Sequence, residues 1–263
     1  MHAFHRFSLT LALTLAAALT GCSPEGSVYT TDTVSVAGNW QFSSSAAAAA
    51  KLPSLSGELS GTGASITAIL HSDSISSCVA PTTAIALTGT TSGQGITTLT
   101  SSNFPSGTLT ISGTLALDGK SFTTANYTVS GSTSCAFASP ANAIADDFSP
   151  ISGTYTGKFS DAAGPVLSIS ALLAQSPSSD ANGNFTLTGE ATFGNACFSN
   201  NVPISNTQVT GGNFTFTYAD PVTTNNVVAT GTFSADGTTL TVSNWTLTGP
   251  CGPDTGTGSL SRQ

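Results

Sequence analysis

The sequence predicts an all-β fold built from two tandem repeats, each an antiparallel up-and-down meander of about eight strands. Short segments such as Thr186-Leu187-Thr188 and Thr246-Leu247-Thr248 alternate hydroxyl and apolar residues, which is the pattern of a half-buried strand. No stretch after residue 21 keeps a helical period. The second half of the chain also repeats features of the first.

The repeat is clearest between segments 117–135 and 235–251, which share an Asp-Gly turn followed by alternating residues. Asp118 and Asp236 are 118 residues apart. Other matching residues keep nearly the same spacing: Gly113 and Gly231, Asn126 and Asn244, Cys78 and Cys197. Agreement across a whole unit indicates a duplication. We place repeat 1 at 37–140, a linker at 141–150 and repeat 2 at 151–263.

Strands in the second repeat follow from the turn-forming pairs that separate them, such as Asn182-Gly183, Gly211-Gly212 and Asp236-Gly237. The predicted strands are 153–160, 166–174, 184–193, 202–209, 213–218, 226–233, 238–248 and 255–261. The first repeat gives a similar count, with a weak last strand interrupted by Pro140. The alternative fold is a pair of immunoglobulin-like β-sandwiches.

Residues 1–21 have the features of a signal peptide in the expected order: a cationic head at Arg6, an apolar run over residues 9–19, and small residues before Cys22. The apolar run is shorter than the roughly 20 residues that a membrane-spanning helix needs. Cleavage is therefore favoured. An ordinary secretory signal with a chance Cys near its end is the alternative.

The segment Leu19-Thr20-Gly21-Cys22 resembles the lipobox of bacterial lipoproteins. This resemblance implies cleavage before Cys22, a diacylglycerol on its thiol and often an acyl chain on its amine, so that Cys22 anchors the protein to a membrane. Ser23 follows Cys22, whereas an Asp there favours the inner membrane in enterobacteria. The resemblance thus implies the outer membrane of a bacterial envelope. Residues 22–36 are expected to form a flexible tether.

Few charges are present, and most are acidic. Removing residues 1–21 removes Arg6 and leaves four Lys and Arg against 13 Asp and Glu. Such a chain cannot neutralise a phosphate backbone, so we expect no nucleic-acid partner. Peripheral binding to anionic lipid is disfavoured for the same reason, and membrane attachment is expected to depend on Cys22.

Once Cys22 is assigned to lipid, four cysteines remain in an oxidising compartment, where disulfides are expected. Four cysteines allow three connectivities. The repeat selects Cys78 with Cys135 and Cys197 with Cys251, because each pair then brackets four strands of its own unit. A metal site is the competing interpretation, but no C-x-x-C spacing occurs and His71 is the single histidine after residue 21.

We predict that the protein is not an enzyme and uses no cofactor. His71 and the lysines lie in no recognisable catalytic motif. Asp118 and Asp236 precede glycines and are expected in hairpin turns. Asp146-Asp147 could contact calcium, but a solvated linker is the simpler interpretation.

An opening Gly38-Asn39-Trp40 before an eight-stranded meander resembles the calycin group, the lipocalins and avidins, whose closed barrels hold small ligands. Gly153-Thr154-Tyr155 matches this motif loosely. Lipocalins also pack a late Arg on the Trp, for which Arg262 is the candidate here, and the first copy has none.

The barrel hypothesis predicts a binding module for a small apolar or amphipathic ligand in the barrel interiors. The candidate lining residues are Trp40, Tyr127, Tyr155 and Trp245. The alternative is a structural or adhesive envelope protein, whose Thr-rich strand faces present a surface instead of a cavity.

Overall fold

The computed structural model describes residues 34–43, 51–81, 83–105, 107–131, 134–138 and 144–263. These residues form 17 strands, and none of them lies in a helix. The strands make two closed antiparallel barrels, each a meander, in tandem along the chain. The predicted all-β double meander is confirmed. Residues 1–33, which include Arg6 and Cys22, lie outside the described part.

The first barrel uses nine strands. They are β1 (Gly38–Ser43), β2 (Leu55–Thr62), β3 (Ser65–Ser72), β4 (Ile85–Thr91), β5 (Ile96–Ser101), β6 (Thr108–Leu115), β7 (Ser121–Ser130), β8 (Phe137–Ala138) and β9 (Ile144–Phe148). From β1 to β7 each strand pairs with the next. Strand β9 closes the barrel because it pairs with β1, as in Gln41↔Asp146, and with β7, as in Phe122↔Ala145. The short β8 pairs with the end of β7.

The predicted linker at 141–150 is therefore wrong in its middle, since β9 is the closing strand of the first barrel. The sequence does not predict this strand because it contains two adjacent aspartates, and Asp is depleted in sheets. Asp147 is tolerated there because Lys120 Nζ lies 2.6 Å from its Oδ2. Three residues separate β9 from the first strand of the second barrel.

The end of the predicted tether also belongs to the barrel. Ser35 forms an isolated bridge with Thr62, and the Trp40 indole donates to the carbonyl of Val36 at 2.8 Å. Val36 is buried. The tether prediction for residues 22–33 concerns positions outside the described residues.

The second barrel contains eight strands: β10 (Ser152–Asp161), β11 (Gly164–Gln175), β12 (Leu187–Phe193), β13 (Val202–Thr210), β14 (Asn213–Ala219), β15 (Asn226–Phe233), β16 (Thr239–Thr248) and β17 (Asp254–Arg262). All eight were predicted, and each observed end lies within three residues of the predicted one. Pairing of β10 with β17 closes the barrel.

Each barrel encloses its own apolar core, made by the inward-facing residues of the alternating strands. A β-bulge helps to direct the aromatic residues inward. In β16 the register shifts between Val242 and Trp245. In β7 the shift lies beside Phe122. These bulges place Phe122 and Tyr127, and likewise Leu240 and Trp245, in the cores.

Disulfides join Cys78 to Cys135 and Cys197 to Cys251, with Cα–Cα distances of 5.6 and 5.9 Å. This is the pairing that the repeat predicts. Each bridge links the loop after the third strand to the segment after the seventh strand of its barrel. A disulfide that closes a loop of this length stabilises a fold by about 4 kcal/mol in the chain-entropy treatment.

Candidate functional site

The four aromatic residues predicted to line a ligand cavity are core residues. All four are fully buried. Trp40 packs against Phe42 and Phe122, and the Tyr155 hydroxyl donates to the carbonyl of Gly237. Their rings therefore contact neighbouring core side chains and are closed to solvent, in contrast to the lining that the sequence suggests.

An open cleft of about 400 Å³ lies instead between the two barrels. The first barrel contributes the end of β3 and the loop after it. The second contributes the β11–β12 loop and the facing ends of β13 and β14. The lining residues are His71, Ser72, Asp73, Pro81, Asn182, Asn184, Gln208, Thr210, Asn213, Phe214 and Thr215. Neither barrel forms this cleft alone.

The barrels approach each other through tight turns at one end of the second barrel. The turns Asn182-Gly183, Gly211-Gly212 and Asp236-Gly237 all lie at this end, because an even number of strands separates them. A Cβ on Gly183 would lie 2.3 Å from the carbonyl oxygen of Ile69, and one on Gly211 would lie 2.5 Å from Ser56 Oγ. Glycine at these turns therefore permits the close approach.

Buried hydrogen bonds fix this contact. The Asn39 side chain, 2% exposed, donates from Nδ2 to the carbonyl of Gly211 at 2.8 Å and accepts the Gly211 N–H at Oδ1 at 2.6 Å. Glu58 Oε2 accepts the backbone N–H of Ser179 at 3.0 Å and also its hydroxyl proton. These bonds hold the two walls of the cleft in one arrangement.

His71 bridges the barrels at the floor of the cleft. Its Nδ1 lies 2.9 Å from the carbonyl oxygen of Asn182 and its Nε2 lies 3.3 Å from Thr210 Oγ1. Because a carbonyl can only accept, Nδ1 carries a proton. Nε2 accepts from the Thr210 hydroxyl when the ring is neutral and donates to it when the ring is protonated. Both ring nitrogens are therefore engaged.

Asp73 is the one carboxylate among the described residues that line the cleft. Its Oδ2 accepts from Gln41 Nε2 at 2.9 Å, whereas its Oδ1 is buried without a hydrogen bond of normal geometry. Burial raises the pKa of this carboxyl above its ordinary value, although the Ser56 hydroxyl, the Gln41 amide and His71 lower it in part. The Ser56 hydroxyl and the Gln41 amide therefore both interact with this carboxylate, and Oδ2 keeps a second lone pair for a ligand donor.

The second barrel preorganises the opposite wall. Asp180 Oδ1 accepts the backbone N–H groups of Asn182 and Asn184 at 2.8 and 3.0 Å. Gln208 Nε2 donates to Asn184 Oδ1 at 2.8 Å. This leaves the Asn184 amide protons and Gln208 Oε1 without a partner among the described residues.

The hydrogen-bonded chain of Thr210, His71 and the Asn182 carbonyl resembles a catalytic triad, in which a base activates a nucleophile and a third group orients the base. However, the Thr210 to His71 distance is long, and the neutral carbonyl cannot stabilise a protonated ring as a carboxylate would. Ser72 Oγ donates to the Ser74 carbonyl. Within the described residues no group of three or more His, Cys, Asp or Glu side chains could hold a metal ion.

Sequence reasoning missed this cleft, because its residues come from two repeats and five separate segments. The turns that build the contact were predicted, and their common end follows from strand parity. That both barrels meet at this end could not be read from either repeat.

No family model, curated protein or solved structure matches this chain. The described residues include no helix that is long and apolar enough to cross a membrane. The cleft is therefore the structural basis of the proposed function.

Proposed function

We propose that this chain is a lipid-anchored, non-enzymatic binding protein of the bacterial cell envelope, with its ligand site in the cleft between the barrels. The cleft itself supports this proposal best, since it has the size of a small-molecule site, roughly 300–1,000 Å³, and its walls are held by buried hydrogen bonds. The four aromatic residues predicted to line a ligand cavity inside the barrels are all buried, which favours the cleft over the barrel interiors as the ligand site.

The lining favours an amphipathic ligand over a wholly apolar one. Amide and hydroxyl groups dominate it, while Pro81 adds apolar surface. Both ring nitrogens of His71 are hydrogen-bonded to the second barrel, which favours a role for His71 in positioning the walls of the cleft. Binding, not turnover, is the function that these groups suit.

The anchor is tested with Cys22→Ser. Because the lipobox resemblance places the lipid on Cys22, this variant is expected to move from the membrane fraction to the soluble fraction of the host. Ser23→Ala, the neighbouring control, is expected to stay with the membrane. Retention of Cys22→Ser in the membrane would contradict the lipoprotein assignment.

The ligand site is tested by native mass spectrometry of the full-length protein extracted from its own host. We expect a retained small molecule that is lost in Thr215→Trp, since the indole would fill the cleft. Thr241→Trp, on an exposed position of β16, is the matched control and should keep the molecule. Absence of any adduct, or an adduct that Thr215→Trp retains, would contradict the cleft as the site.

A surface-presenting, adhesive function is the second candidate, and one observation favours it. A row of hydroxyl side chains crosses five neighbouring strands of the first barrel in direct register: Thr67, Thr88, Thr100, Thr110 and Thr128. Such an uncharged row suits contact with another neutral surface. An empty cleft in the native spectrum would favour this candidate.

A further inference from the structure

We infer that the cleft between the barrels binds a neutral polyhydroxylated ligand, a mono- or disaccharide, through Asp73 and the amides opposite it. This inference rests on the proposed function, because it assigns a ligand class to the same cleft.

The lining of the cleft is polar and mostly uncharged. The lining residues carry four carboxamides, three hydroxyls, one imidazole and one carboxylate, and no Lys or Arg is among those described. Carboxamides and hydroxyls both donate and accept, as sugar hydroxyls do. An anionic ligand would meet no cation and would face the carboxylate of Asp73. The lining therefore selects against phosphorylated and acidic ligands.

Both walls of the cleft have unfilled hydrogen-bonding capacity. Asp73 Oδ2 accepts one hydrogen bond from Gln41, and it can accept a second from a ligand hydroxyl. On the facing wall, the Gln208–Asn184 pair leaves a free acceptor beside free donors. Two neighbouring hydroxyls of a sugar ring can donate one hydrogen bond and accept another, which matches the free acceptor and free donors of this pair.

The size of the cleft and its apolar part also suit a saccharide. A volume of about 400 Å³ is near the lower end of small-molecule sites and suits one or two sugar rings. Pro81 offers apolar contact for the C–H groups of a ring. The open form of the cleft would also admit the end of a longer glycan.

An amine is the competing ligand, because Asp73 would attract an ammonium group. The remaining lining groups are neutral, however, and half of the Asp73 carboxylate is already bound to Gln41. A polyamine would find one charged contact in this cleft, whereas a sugar would find several neutral ones.

Saturation-transfer-difference NMR tests the inference with the full-length protein in a polyoxyethylene detergent, which carries no sugar. The neutral probes are maltose, lactose and N,N′-diacetylchitobiose, and the charged probes are glucose 6-phosphate and spermidine. At least one neutral disaccharide is expected to bind. Asp73→Asn and Gln208→Ala should each weaken it roughly tenfold, as for the loss of one good hydrogen bond.

Glu190→Gln is the matched control for Asp73→Asn. It removes a carboxylate from an exposed position of β12 and should leave saccharide binding unchanged. Near-UV circular dichroism establishes that the variants are folded, and Gln208→Ala, which alters an exposed side chain, keeps the test valid if Asp73→Asn does not fold.

The outcomes separate the ligand class from the proposed function. Binding of spermidine or glucose 6-phosphate alone, lost in Gln208→Ala, would overturn the saccharide class and leave the cleft as the binding site. Saccharide binding that neither variant changes would also overturn it. If no probe binds and the native spectrum shows no cleft-dependent adduct, both proposals fall.

Discussion

Trp245→Ala is expected to destabilise the second barrel by about 3–5 kcal/mol, the usual cost of removing a large buried aromatic side chain. Trp245 is fully buried, and its ring stacks on Phe159 with centroids 5.7 Å apart. Its Nε1–H donates to the carbonyls of Thr257 at 3.0 Å and Ser160 at 3.3 Å. Truncation would therefore leave a cavity and two carbonyls without this donor.

Urea denaturation followed by far-UV circular dichroism measures this loss. The sequence contains two tryptophans, one in each barrel, so fluorescence in Trp245→Ala reports the first barrel alone. Trp245→Phe is the control, since it keeps an aromatic ring against Phe159, and it should lose less than half as much. A loss below about 1 kcal/mol for Trp245→Ala would indicate a poorly packed interior and would restore the barrel as a ligand site.

Local patterns were enough to predict most of the fold. Alternation of Thr with apolar residues, and Gly-containing turns, predicted every strand of the second barrel, because each hairpin is specified by neighbouring residues. Duplication then predicted the disulfides. The exceptions, β9 and the segment at Val36, have weak local patterns and are ordered by pairing with strands that are distant in sequence.

The candidate site was not predictable in the same way. Trp40 and Trp245 are conspicuous in the sequence, but a large aromatic residue in a strand fits a filled core as well as a ligand cavity, and packing decides between them. Asp73 and Gln208 are inconspicuous. They gain their role only because the turns of one barrel meet the outer face of the other.

Asn39 makes two direct hydrogen bonds in the contact between the two barrels. Asn39→Ala is expected to weaken the contact between the barrels by about 2–4 kcal/mol, because it leaves the N–H and the carbonyl of Gly211 buried without their partner. The backbone of Gly211 has φ 51° and packs against Ser56 and Gln41, so it has little room to admit water. The loss should therefore be larger than for an exposed hydrogen bond.

Two single-tryptophan backgrounds measure this coupling. In Trp245→Phe the fluorescence reports the first barrel, and in Trp40→Phe it reports the second. With Asn39 present, the two urea transitions are expected to lie close together, and Asn39→Ala should separate them, while Asn244→Ala, an exposed asparagine on β16, should not. Saccharide binding should weaken in step, since Asp73 and Gln208 stand on opposite barrels. Transitions that stay together in Asn39→Ala would show that Glu58, His71 and the short connection after β9 suffice to hold the cleft.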